Sequence, residues 1–172
     1  MKKVIIVALS IIAVVMFVCF SGGVKQNSDY LRIHIRANSN SSIDQRVKYQ
    51  VKDEIVDALI PLLAYAETKQ ESEEIIKENF DLIESVADRV LKENGFNYTS
   101  TAKLSYEEFP TRSYDGLTLE QGFYDALVLE LGSGTGDNWW CVVYPPLCFT
   151  QGSSENIVYK SKIWEIIQKV LN

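Results

Sequence analysis

A single histidine, His34, serves the whole chain of 172 residues. Zinc sites on exported domains usually gather several His or Cys with carboxylates, and one imidazole beside two cysteines matches no ligand spacing. There is no His-Glu-x-x-His run and no Gly-x-Ser-x-Gly elbow, so the usual hydrolytic signatures are missing. Runs of Lys and Arg are missing too. With 17 basic against 23 acidic residues and a net charge of −6, the chain lacks the basic clusters that nucleic acids or anionic membrane surfaces require. A basic protein surface stays open as a partner. The residues imply neither a cofactor nor a metal.

Cysteine is scarce as well: Cys19, Cys141 and Cys148. Cys19 belongs to an N-terminal targeting segment over residues 1–23. Lys2 and Lys3 precede an apolar run from Val4 to Phe20, and Ser21 and Gly23 take the minus-three and minus-one roles of a cleavage site. The segment is either removed there or kept as a membrane anchor through residues 4–20. Residues 24–172 then form a single exported globular domain, long enough for a proper core. Export makes oxidation of Cys141 and Cys148 feasible. Their Cα atoms must come within about 7 Å, which demands a tight reversal at Pro145-Pro146, such as a cis peptide would give. Two buried free thiols are the alternative.

The hydrophobic periods predict an α+β domain. It has one antiparallel or mixed sheet of about four to five strands, two long helices on one face and a short C-terminal helix. Leu31, Ile33 and Ile35 alternate with Arg32, His34 and Arg36 as in a half-buried strand, which puts His34 at a surface or edge position. Ser42 with Gln45, or Ser41 with Asp44, caps a helix with its apolar stripe at Ile43, Val47, Val51, Ile55 and Leu59, and Pro61 should kink or end it. Ser72 is expected to cap a second helix carrying Ile76, Phe80, Ile83, Ala87, Val90 and Leu91 on one face, closed by Gly95. Strands follow over Phe96 to Glu107 and Tyr124 to Leu131. Gly132 to Asp137 reads as a hairpin loop into the strand from Asn138 to Tyr144, not as a phosphate cradle, because no helix follows it. Lys162 to Leu171 forms the last helix.

The most unusual stretch is Asn138-Trp139-Trp140-Cys141-Val142-Val143-Tyr144-Pro145-Pro146-Leu147-Cys148-Phe149. Alternation sends Trp139, Cys141 and Val143 to one face and Trp140, Val142 and Tyr144 to the other. Aromatics and prolines in a rigid exposed corner suit a protein-binding hot spot, so Trp139, Trp140, Tyr144, Pro145, Pro146, Leu147 and Phe149 are the candidate contact residues. A thiol or cell-wall hydrolase would instead pair Cys141 or Cys148 with His34 as base, although apolar surroundings raise a thiol pKa. A passive exported structural module is a third reading.

That twelve-residue run resembles the stage II sporulation protein R family. So do Leu31 to Ser41 with Asp44, Gln45, Lys48 and Val51-Lys52-Asp53, and then Phe109-Pro110-Thr111, Tyr114, Gly122, Tyr124 and Ala126-Leu127. The chain departs from the family pattern at Glu120-Gln121, which replaces a Pro-Ala step, and at Val128, which replaces a basic residue. The resemblance implies a protein that is not an enzyme. It would be exported from the forespore into the space between forespore and mother cell, where it activates a membrane-embedded aspartic protease that processes pro-sigma-E.

Overall fold

The computed structural model describes residues 29–114 and 117–149. Ser21, Gly23 and the helix expected over 162–171 lie outside the described residues, as does the side chain of Phe149.

The chain runs β1 (Leu31–Arg36), α1 (Ser42–Leu63), α2 (Lys69–Glu78), α3 (Phe80–Glu93), β2 (Ser100–Phe109), β3 (Arg112–Tyr114), β4 (Leu117–Leu119), β5 (Gly122–Leu131) and β6 (Asn138–Tyr144), then a short 3-10 helix at Leu147–Phe149. Four strands form a sheet in the order β2-β5-β1-β6, and β3 pairs with β4 in a separate two-stranded ribbon. β1 lies parallel to β5 and antiparallel to β6. The architecture is α+β with a mixed sheet.

Helices α1, α2 and α3 cover one face of the sheet. Their apolar stripe, including Val47, Val51, Ile55, Leu59, Ile76, Ile83 and Leu91, meets Leu31, Ile33, Ile35, Leu127, Leu129 and Val143 in the main core. Burial of such aliphatic side chains contributes about 1.5–3 kcal/mol each, so this face is where the fold gets most of its drive. Ser41 caps α1 by accepting from the Asp44 N–H at 3.2 Å. Burial works to raise the Asp44 carboxyl pKa, but hydrogen bonds from Ser39, Tyr98, Asn38 and Ser41 outweigh it and hold the group below its usual value. The second expected helix is two helices. Thr68, not Ser72, caps α2. Ser72 is buried and donates its hydroxyl to the Thr68 carbonyl at 3.1 Å. Asn79 leaves helical geometry between α2 and α3 and turns its side-chain amide onto the Ile75 carbonyl at 2.8 Å, a local competition with the helix typical of Asn. Gly95, at φ +81°, closes α3 in the left-handed conformation that glycine tolerates best.

The loop from Gly132 to Asp137 is not a hairpin. β5 and β6 lie on either side of β1, so the loop passes over the end of β1. Its seat is the polar turn after β1: Gly136 N–H donates to the Ala37 carbonyl at 2.8 Å, Ser133 Oγ donates to the Asn38 carbonyl at 2.6 Å, and Asp137 N–H donates to Asn40 Oδ1 at 2.7 Å. A Cβ on Gly136 would run into the Ser39 carbonyl. The glycines serve close approach of two backbones, which period-based reasoning cannot distinguish from a free tip.

Candidate partner interface

β1 is internal to the sheet, which makes β6 an edge strand. Its two tryptophans straddle that edge. Trp139 is half-buried and packs against the main core, with Lys52 Nζ 5.8 Å from its ring centroid. Trp140 is half-buried on the opposite face, packs against a second core and carries the Arg112 guanidinium 4.7 Å from its centroid. Each indole therefore offers one part to the fold and another part to solvent, beside a cation.

The far end of β6 is built differently. The register slips by one residue between Leu31 and Arg32, so that Leu31 pairs with Tyr144 while Arg32 pairs with Val142. This bulge sends Val143 and Tyr144 both to the helix side, whereas strict alternation places Tyr144 with Trp140 and Val142. Tyr144 is buried, and its hydroxyl donates to the Glu67 carbonyl at 2.6 Å. Its peptide bond to Pro145 is cis. Pro145 and Pro146 are buried as well, so these three residues shape the corner from inside and do not form an exposed contact surface. Leu147, half-buried, touches both cores. A disulfide joins Cys141 to Cys148 across a Cα–Cα distance of 5.8 Å. Cys141 belongs to the helix-side core, and His34 lies on the other face beside Phe109. The sheet thus separates the thiol and imidazole that a cysteine hydrolase would have to combine.

The face away from the helices holds what the sequence reading missed. The β3–β4 ribbon and Phe109 cover it, with Leu119, Tyr124, Ala126, Val128 and Val142 forming the second core. Arg32 is fully buried there. Its guanidinium lies 4.2 Å from the Phe109 centroid, 4.7 Å from Tyr124 and 5.9 Å from Tyr114. It donates one hydrogen bond, to Tyr114 Oη at 2.9 Å, while Nε and Nη1 have no partner. Burial pushes its pKa down, and Tyr114 and Tyr124 partly oppose that shift. Next along β1, His34 is 2 % exposed, neither at the surface nor at an edge. Its Nε2 approaches Glu107 Oε2 at 2.9 Å, but Arg36 already holds that oxygen at 2.5 Å and also binds Glu130 at 2.6 Å. Burial wins over the attraction of Glu107, and the imidazole pKa falls to about 4. At Glu130 burial raises the pKa, while Lys103 and Arg36 lower it further, leaving a net depression. The available signal was the pair Phe109-Pro110 followed by Tyr114 and Leu117, enough apolar surface to lid a second face.

The fold and this site define a small α+β domain whose sheet ends in an aromatic edge strand and a disulfide-tied corner. A model of the stage II sporulation protein R family matches residues 27–154, and the chain belongs to that family. It is 30% identical over 139 residues to the stage II sporulation protein R of Bacillus subtilis (strain 168), covering 81% of this chain and 62% of that protein. The chain therefore spans less than two thirds of that relative's length. No solved structure matches it. Family membership assigns the protein a role in sporulation.

Proposed function

We propose that this protein is a secreted intercompartmental signal of endospore formation. It is exported from the forespore through its leader and binds a membrane-embedded aspartic protease of the mother cell. Binding activates that protease to remove the pro-sequence of the sigma-E factor. The protein acts as a ligand and performs no chemistry of its own. The observation that carries this reading is the edge of β6, where Trp139 and Trp140 stay half-exposed on opposite faces of a strand clamped at its far end. Large, pre-ordered aromatics of this kind are what protein contacts use. Among the described residues no group of three His, Cys, Asp or Glu gathers as a metal site.

The test is reconstitution in a host that does not sporulate, co-expressing the full chain, the protease and pro-sigma-E. Pro-sequence removal on a gel should require this chain with its leader intact. Absence of processing, with folded exported protein and a protease shown competent with another activator, would sink the proposal.

A further inference from the structure

The two edges of the sheet are finished in opposite ways. β2 pairs inward with β5, and its outer backbone donors are taken by α3: Asp88 Oδ1 accepts from Ser100 N–H at 2.6 Å, and Glu84 Oε1 accepts from Ala102 N–H at 2.7 Å. Charged residues Lys103, Glu107 and Glu108 complete that strand. Closing an edge with side chains and charges is how sheets avoid adding strands.

β6 has no such closure among the described residues. The Ala37 N–H donates to the Asp137 carbonyl, so the peptide groups at 137, 139 and 141 face β1 and those of Asn138, Trp140 and Val142 face outward. The Val142 carbonyl is met by Cys148 Sγ at 2.8 Å. The outward groups of Asn138 and Trp140 have no hydrogen-bond partner in the described structure. No charged residue interrupts Asn138–Tyr144. Beside this ladder stands Arg112, exposed, stacked on Trp140 and without a carboxylate partner among the described residues. An open ladder is a template on which another extended backbone can pair, and an unpaired guanidinium favours a carboxylate.

We propose that β6 accepts an extended segment of the protein's partner as a fifth strand of the sheet. Asn138 and Trp140 supply the backbone hydrogen bonds, and Arg112 binds an acidic side chain of the incoming segment. The inference rests on the activator reading above, and its occupant is a segment of that protease outside the membrane.

Trp140→Pro tests it, because the proline removes an outward donor and no bond to β1, with Trp140→Val as the control that loses the ring and keeps the donor. In the reconstituted system, processing should fall roughly tenfold further in Trp140→Pro than in Trp140→Val, the effect of one or two lost hydrogen bonds. Arg112→Glu should reduce it by a similar factor. Equal processing by Trp140→Pro and Trp140→Val, both folded by circular dichroism, overturns the edge inference while leaving the activator reading intact. If Trp140→Pro does not fold, hydrogen exchange on the unaltered chain decides. The Asn138 and Trp140 amides should slow in the complex with the protease, and unchanged exchange there overturns the inference. No processing by the unaltered chain overturns both readings together.

Discussion

β1 builds two different interiors from alternate residues. Leu31, Ile33 and Ile35 enter the helix-side core, which is aliphatic and interdigitated. Arg32, His34 and Arg36 point to the other side, where Phe109, Tyr114 and Tyr124 surround Arg32, Phe109 packs on His34, and Glu107 and Glu130 hold the half-buried Arg36. The first interior gains from removing apolar area from water. The second must also answer for polar groups taken out of water, and it answers incompletely, since Arg32 Nε and Nη1 stay unpartnered. An alternating strand therefore need not have a wet side: its polar residues can belong to a second, more conditional interior.

The sharpest test replaces one residue from each side. Ile33→Ala should cost about 2–5 kcal/mol, the range for truncating a fully buried aliphatic side chain. Arg32→Met keeps most of the volume and removes two unsatisfied donors, which cost about 1–3 kcal/mol each when buried. It gives up one hydrogen bond of about 1 kcal/mol and a cation–π contribution of about 2 kcal/mol. These figures offset, so Arg32→Met should match or exceed the parent in urea denaturation. A loss as large as that of Ile33→Ala would mean the cage depends on the charge itself, and the contrast between the two interiors would fail.

The same contrast explains what was legible in the chain. The aliphatic core, the cap at Ser41, the Gly95 stop and the long strands follow from local periods and local chemistry. Even the polar side of β1 was correctly assigned to the face opposite Ile33 and Ile35. Its burial was not legible, because the lid comes some eighty residues later, from Phe109 at the end of β2 and from Tyr114, Leu117 and Leu119 in strands of 3 residues. The insertion of β1 between β5 and β6 was hidden for a similar reason: a six-residue glycine-rich loop suits a hairpin as well as a crossing. In the site, the tryptophans were found by composition, but the bulge that turns Tyr144 inward depends on register with Leu31. The break at Asn79 was lost because Ile76, Phe80 and Ile83 keep helical spacing across it.

A second, smaller effect probes the place where the two interiors meet. Leu147 touches both, and the Cys141–Cys148 bond, at a sequence separation of 7, fixes the turn that carries it. Loop-closure entropy for so short a ring is about 2 kcal/mol. Cys141→Ser with Cys148→Ser should lower the unfolding free energy by about that amount, and a reducing agent should reproduce the loss in the parent. If reduction leaves stability unchanged, the corner is held by Tyr144 and Leu147 packing alone.

The gentlest perturbation is protonation of His34. Its folded pKa, about 4, lies below the ordinary value near 6.5, so the unfolded chain binds the proton more readily. The stability that comes from keeping the imidazole neutral is complete above about pH 6.5 and is lost as pH falls toward 4. Burial sets this sign, and the charged groups facing the ring modulate it. Glu107 and Glu130 favour the cation, while Arg36 opposes it and occupies the carboxylate that would otherwise neutralise it. Urea midpoints measured between pH 7 and pH 4.5 should therefore decline from about pH 6.5 downward in the parent. His34→Gln, which cannot charge, should stay level until the carboxylates titrate. Arg36→Gln should weaken the parent's slope, because freeing Glu107 raises the His34 pKa toward its unfolded value. If parent and His34→Gln decline together, the imidazole is reached by water in the folded state, and the outer interior is less closed than the helix-side core by more than its chemistry requires.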